Sequence, residues 1–98
     1  MEIIQWLQEW YKSNCDGYWE HIYGIKIDTL DNPGWIVQID LSDTPLEHEE
    51  FDKIQYYMSD EEWIICSKEG GVYKASGGPN KLEEILLIFK EWVESKSI

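Results

Sequence analysis

The chain has 98 residues, among them 20 aspartates and glutamates against eight lysines and no arginine, so that its formal net charge is −12. A domain this acidic repels the phosphate backbone of nucleic acids and attracts basic proteins. With six tryptophans, six tyrosines and 43% hydrophobic residues, it is too aromatic for a disordered acidic segment and can bury one hydrophobic core.

The N-terminal segment predicts an amphipathic helix. Ile3, Leu7 and Trp10 recur at the three-to-four spacing that places apolar side chains on one side of a helix. The run Ser-Asn-Cys-Asp-Gly at 13–17 predicts its end, because Asn, Asp and Gly tolerate a left-handed backbone. The N-terminus lacks the basic region of a signal peptide, and no apolar run is long enough to span a bilayer. We therefore expect a cytoplasmic protein with no membrane partner.

Five segments of the middle region predict β-strands. Tyr23, Ile25 and Ile27 alternate with polar residues, which is typical of a half-buried strand. Pro33 and Gly34 predict a type II turn, in which Gly34 takes a positive φ. The fourth segment is apolar on both faces, which indicates a central strand. The predicted strands cover residues 19–29, 35–41, 54–58, 63–66 and 72–75.

A second amphipathic helix is predicted to close the chain. Asn80 is a suitable N-cap, and Glu83 three residues later completes a capping-box pair. The element order predicts a single α+β domain over residues 1–98: a helix, an antiparallel meander of about five strands and a helix, with both helices packed on one sheet face. The predicted core consists of Leu7, Trp10, Ile25, Val37, Ile39, Ile65, Leu86, Phe89 and Trp92.

Residues that could support catalysis or hold a cofactor are not arranged in any recognised pattern. Cys66 lies inside an apolar strand, and Cys15 follows a helix C-terminus beside Asp16, where a thiolate is disfavoured. Two free thiols fit a reducing compartment, although a disulfide stays open. The histidines, His21 and His48, lack the local pairing of a zinc site. We expect neither an enzyme nor a cofactor or metal, while divalent-ion binding by the acidic loop stays open.

Negative charge is concentrated in one stretch. Residues 40–62 contain nine acidic residues and one lysine, a net −8 of the total −12. A solvated face is the ordinary explanation for such a stretch, but Tyr and Trp beside it are the residues that anchor protein interfaces. We therefore predict a partner-binding surface here, formed by Asp43, Glu47, Glu49, Glu50, Asp52, Tyr57, Asp60, Glu61 and Glu62.

Several motifs resemble the immunity protein 53 family. They are Trp-Leu-Gln-Glu-Trp-Tyr at 6–11, Cys-Asp-Gly at 15–17, Gly-Ile-Lys-Ile at 24–27, Leu-Asp-Asn-Pro-Gly-Trp at 30–35, Gly-Gly-Pro-Asn at 77–80, and Leu-Glu-Glu-Ile-Leu at 82–86 with Phe89 and Trp92. The resemblance implies protection of a bacterium against a toxin domain of a polymorphic toxin system. It brings no catalytic or ligand residues. Residues 42–58 match no motif of the family, so recognition of one particular toxin is expected there.

Three hypotheses about function follow. The first is an immunity protein that neutralises a cognate toxin, itself basic, by direct non-covalent binding. The second is a small acidic adaptor or regulator of another basic protein. The third, an enzyme or small-ligand binder, requires a pocket in which carboxylates converge with raised pKa values. The sequence does not indicate the oligomeric state.

Overall fold

Helices lie near both ends of the chain and five strands lie between them, in a computed structural model that describes residues 2–96. The helices are α1 (Ile3–Asn14), the one-turn α2 (Trp19–Ile22) and α3 (Leu82–Ser95). The strands are β1 (Ile25–Leu30), β2 (Gly34–Asp40), β3 (Ile54–Tyr57), β4 (Trp63–Glu69) and β5 (Val72–Gly77). This element order confirms the α+β prediction, and both long helices lie where apolar periodicity places them.

The strands form one antiparallel sheet in the order β1-β2-β5-β4-β3. The predicted simple meander is wrong, because β2 pairs with β5 and not with β3. The other three pairs of sequence neighbours, β1–β2, β3–β4 and β4–β5, form hairpins, and the β2–β5 pairing joins the β1–β2 hairpin to the other three strands. The segment between β2 and β3 therefore crosses the ends of β5 and β4 before it reaches the far edge of the sheet.

Close approach of β2 and β5 depends on Gly34. Its φ is not positive, unlike that of Gly70 and Gly71 at the β4–β5 turn, so the predicted type II turn at Pro33 and Gly34 is wrong. A Cβ at position 34 would collide with the backbone carbonyl oxygen of Gly77 on β5. Glycine is required at this position because it has no side chain, which lets β2 and β5 approach closely. A positive φ is not the reason.

The hydrophobic core lies between one face of the sheet and the helices α1 and α3. Val37 and Ile39 on β2 and Phe89 on α3 are completely buried, and Trp92 is 9% exposed. The predicted placement of both helices on one sheet face is thereby confirmed. Trp10 and Ile25, which were predicted to be buried, are half-buried at the margin of the core.

Strand β4 is apolar on both faces, but only one face is covered. Ile64 and Cys66 are completely buried beneath the helices, whereas Ile65, on the opposite side, is half-buried. The prediction that Ile65 belongs to the core is wrong. The predicted central position is also wrong, because β5 is the middle strand and β4 is second from the edge.

Residues from Trp19 form a turn of helix and not the beginning of a strand. The Asp16 carboxylate accepts hydrogen bonds from the backbone N–H groups of Tyr18 and Trp19, each at 3.0 Å. The Trp19 side chain is 1% exposed, and its indole N–H donates to the Ser42 carbonyl at 3.0 Å. The strand predicted over 19–29 therefore begins only at Ile25, because capping by Asp16 and burial of Trp19 fix the preceding residues.

The last helix begins one residue later than the sequence indicates. Its N-cap is Lys81, which makes no side-chain cap hydrogen bond, so the predicted capping by Asn80 is wrong. The Lys81 ammonium instead forms an ion pair with Glu62 at 2.7 Å. This pair connects the beginning of α3 to the turn between β3 and β4.

Candidate functional site

The nine predicted partner-binding residues fall into two groups at opposite ends of β3. The acidic loop (residues 42–52) carries five of them and the acidic turn (residues 58–62) carries three, with Tyr57 beside the turn. The acidic loop contacts Trp92 through Glu50, and the acidic turn contacts Lys81 through Glu62. These contacts are eleven positions apart along α3, which corresponds to roughly 16 Å at the helical rise per residue. The structure therefore does not bring the nine residues together in one cluster.

The backbone of the acidic loop is held from inside by side chains of the core elements. The Lys68 ammonium donates to the carbonyl oxygens of Glu47 and Glu49, at 2.7 and 2.6 Å. The Trp92 indole N–H donates to the Glu50 carbonyl at 2.8 Å. These three contacts engage carbonyl groups, so they hold the second half of the loop without using its carboxylates.

The beginning of the acidic loop is a compact turn that buries an apolar side chain. Leu46 is 5% exposed and belongs to the core. The Thr44 hydroxyl donates to the Leu41 carbonyl at 2.7 Å and accepts from the Leu46 N–H at 3.1 Å. Asp43 has a φ of 61°, a left-handed conformation that aspartate tolerates better than most residues. Its exposed side chain is therefore presented by an ordered backbone.

The acidic turn is similarly fixed. The Met58 N–H donates to the Glu62 carbonyl at 2.7 Å, which closes the turn. The Tyr57 hydroxyl donates to the Asp60 carboxylate, and this hydrogen bond raises the pKa of Tyr57. The ion pair with Glu62 raises the pKa of Lys81, which also lies 3.6 Å from Glu84. Much of the charge of Glu62 is thus offset within the protein.

Most of the predicted acidic residues are not engaged in ion pairs. Within residues 2–96, Glu49 lies 4.0 Å from Lys96, Glu47 lies 3.9 Å from the exposed His48, and Glu62 pairs with Lys81. The remaining acidic residues of the predicted set have no ion-pair partner in this part of the chain; they are Asp43, Glu50, Asp52, Asp60 and Glu61. All five are exposed, so both groups keep a negative surface.

Lys68 and Trp92 support the acidic loop, a role that the sequence reasoning missed. Lys68 lies on the same side of β4 as the buried Cys66, two positions away, and the buried Ile64, four positions away. A lysine on a buried face needs acceptors for its three N–H groups. The position of Lys68 on an apolar strand face could therefore have indicated a buried hydrogen-bonding role. The sequence does not show which carbonyl groups accept its hydrogen bonds.

Metal binding, thiol chemistry and small-ligand binding each require a particular arrangement of side chains. Among the described residues, no group of three or more His, Cys, Asp and Glu is placed to hold a metal ion, and no helix is long and apolar enough to cross a membrane. Cys15 and Cys66 are both free, and burial raises the pKa of the Cys66 thiol. A cleft of about 360 Å³ beside the acidic loop is lined by Leu46, Glu49 and residues of both long helices. That cleft contains a single carboxylate, that of Glu49.

Comparison with known proteins gives one positive result. The family model described as immunity protein 53 matches residues 4–94. No curated protein and no solved structure matches the chain.

Proposed function

Because the chain belongs to the immunity protein 53 family, we propose that it neutralises a cognate toxin by direct, non-covalent binding through its acidic surface. Membership in this family indicates an immunity function in general and implies that the partner is a toxin. The acidic surface, the basic character of the toxin and the absence of a catalytic step are our additions. We further propose that the protein acts in the cytoplasm, where its two free thiols stay reduced.

The unpaired carboxylates are the observation that supports an electrostatic mode of binding. Five exposed acidic residues of the two groups have no ion pair within residues 2–96, so their charge is available to a partner. Toxin domains that attack nucleic acids carry basic surfaces to engage phosphate. A negative inhibitor steers toward such a surface and accelerates association.

Anchoring of the acidic loop supports the same proposal. A surface that is ordered before binding loses less conformational entropy when the complex forms. Lys68 and Trp92 hold the loop backbone without using its carboxylates, so Glu50 and Asp52 remain exposed on an ordered support. We propose that inhibition results from occlusion of the toxin by this surface.

Charge-reversal variants with equal changes in charge test the proposal. The loop variant carries Glu50→Lys and Asp52→Lys, the turn variant Asp60→Lys and Glu61→Lys, and the control Glu91→Lys and Glu94→Lys on the exposed side of α3. Each replaces two exposed carboxylates by lysines and so changes the net charge by +4. The probe is the cognate toxin domain, to be sought among the genes that neighbour this one. The measurements are protection of cells that express that domain, and association rates with it at several salt concentrations.

We expect the loop or turn variant to slow association by roughly tenfold and to flatten its salt dependence, with the control near wild type. A uniform effect of all three variants would mean that only net charge matters. Wild-type protein that neither binds nor protects would exclude the proposed function and favour the adaptor hypothesis.

A further inference from the structure

The outer face of the sheet carries an apolar patch that no helix or strand within residues 2–96 covers. Both long helices pack on the opposite face, where Ile64, Cys66 and Ala75 are buried. On the outer face, half-buried or exposed apolar side chains gather at one end of the sheet. This open-face patch consists of Leu30, Ile36, Tyr57, Trp63 and Ile65.

Strand register makes the patch continuous across the sheet. Tyr57 on β3 lies directly opposite Trp63 on β4, and Ile65 follows two residues later on the same face. Ser76 on β5 lies between Ile65 and Ile36, because it pairs with both. Directly opposed residues are close enough for their side chains to contact, so these positions form one surface.

The other end of the same face is polar. Lys26, Gln38, Lys74 and Ser67 form the next row of opposed positions across the four strands from β1 to β4. A solvent-facing side of an antiparallel sheet is ordinarily polar throughout. At the far edge of this polar end, Val72 lies alone between Asp40 and Glu69. The open-face patch departs from the polar pattern with several apolar residues together, and Tyr57 there is 66% exposed.

Acidic residues border the patch, so a complementary partner has basic side chains at the corresponding positions. Asp28 pairs with Ile36 across the β1–β2 hairpin, and Asp31 follows Leu30. Asp60 and Glu61 lie in the acidic turn, immediately after Tyr57 and before Trp63. A second copy of the chain, also at net −12, would be repelled from this border. An apolar surface flanked by lysine and arginine side chains is complementary to it.

We propose that the open-face patch is the apolar centre of the toxin-binding interface and that the acidic turn is part of its charged rim. This rests on the proposed function and deepens it, since it places the contact on the outer face beside the acidic turn. Interfaces commonly combine an apolar centre rich in Tyr and Trp with a polar rim. The partner is a toxin surface on which an apolar protrusion is surrounded by basic side chains.

Matched apolar-to-lysine substitutions test this placement. Ile36→Lys and Ile65→Lys change the patch, whereas Ile4→Lys and Leu87→Lys change exposed apolar residues of α1 and α3 that are 47% and 38% exposed. The probe is the same cognate toxin domain in purified form, and affinity is measured by calorimetry after circular dichroism has verified folding. Each patch variant should weaken binding by roughly 30-fold or more, and each control by less than about threefold.

Hydroxyl-radical footprinting of the wild-type protein gives a second measurement that needs no variant. Toxin binding should protect Tyr57 and Trp63 from oxidation and leave the exposed Tyr18 as reactive as before. Wild-type binding with unprotected Tyr57 and unaffected patch variants would overturn the placement and leave the proposed function intact. Protection that appears without toxin and increases with protein concentration would also overturn it, by indicating a second copy as the occupant.

Discussion

Trp92 donates its indole N–H to the backbone carbonyl of Glu50 at 2.8 Å, so a core residue of α3 holds the acidic loop. The same side chain packs edge-to-face against Phe51, with ring centroids 5.3 Å apart. Trp92 therefore links the core to the surface that we propose for binding. Changes at this position should affect both the stability of the domain and the order of the loop.

Trp92→Phe separates these two roles, because phenylalanine keeps most of the packing and removes the N–H donor. We expect it to cost about 1 kcal/mol of unfolding free energy, whereas Trp92→Ala should cost about 3–5 kcal/mol. Urea denaturation gives both values. Hydrogen exchange at the amides of Glu47 and Glu49 should be faster in Trp92→Phe than in the wild type. Unchanged exchange there would contradict an anchoring role.

Gly34→Ala tests the close approach of β2 and β5. The new Cβ would collide with the Gly77 carbonyl, and relief of that collision should cost about 1–3 kcal/mol. Gly24→Ala is the matched control, since no atom lies within 4 Å of a Cβ there and its φ is not positive. It should change stability by no more than about 0.5 kcal/mol. Equal denaturation midpoints for the two variants would show that β2 can move away from β5 without loss.

Tyr73 should make the domain less stable at high pH. Burial raises the pKa of its hydroxyl above the ordinary value of 10.0, and the hydroxyl donates to the Ile85 carbonyl at 2.9 Å. Above pH 10 the unfolded chain releases this proton while the folded protein retains it, so unfolding free energy falls as pH rises.

The Tyr73→Phe variant isolates that contribution. Above pH 10 the wild type should lose about 1.4 kcal/mol more per pH unit than the variant. At neutral pH the variant should be less stable by about 1 kcal/mol, because the hydrogen bond is missing. Urea titrations between pH 7 and pH 11 measure both effects, and parallel curves for the two proteins would contradict the first.

Neither cysteine should be needed for toxin binding. Cys66 is completely buried among apolar side chains, and Cys15 is a free thiol at the end of α1. The double variant Cys15→Ser with Cys66→Ala should keep wild-type affinity and lose about 1 kcal/mol of stability from the smaller core side chain. The single variants assign that loss to one position. A folded double variant that no longer protects cells would indicate a covalent or redox mechanism.

Local features could be predicted from the sequence because they depend on residues close together in the chain. Helical periodicity placed α1 and α3, and alternation placed β2 and the apolar character of both faces of β4. The β4–β5 turn is local in the same sense, because it uses the positive φ that Gly70 and Gly71 adopt readily. Capping was less reliable: the helix start expected at Asn80 moved because Lys81 pairs with Glu62, a residue 19 positions earlier.

Clustering of the predicted binding residues could not be read from the chain. The concentration of charge between 40 and 62, and the position of its two parts at opposite ends of the third strand, followed from the order of elements. The sequence did not show that α3 contacts the acidic loop near its end and the acidic turn at its beginning. Lys68 and Trp92, which hold the loop, are 18 or more positions away from the carbonyls they engage. Their partners are backbone atoms, whose positions depend on the complete fold.

The sequence by itself determined the α+β class, an acidic surface, and the positions of both long helices and of β2 to β5 to within a few residues, because periodicity and charge are local properties. Tertiary structure alone decided that β2 pairs with β5, that the chain crosses the sheet ends as the acidic loop, and that Trp63 and Ile65 face outward without cover. These outcomes depend on which apolar surfaces, distant in the chain, are buried against each other. They also depend on the close approach of the β2 and β5 backbones at Gly34 and Gly77. The paired residues of β2 and β5 are 32 to 42 positions apart in the chain, and no local pattern encodes their pairing.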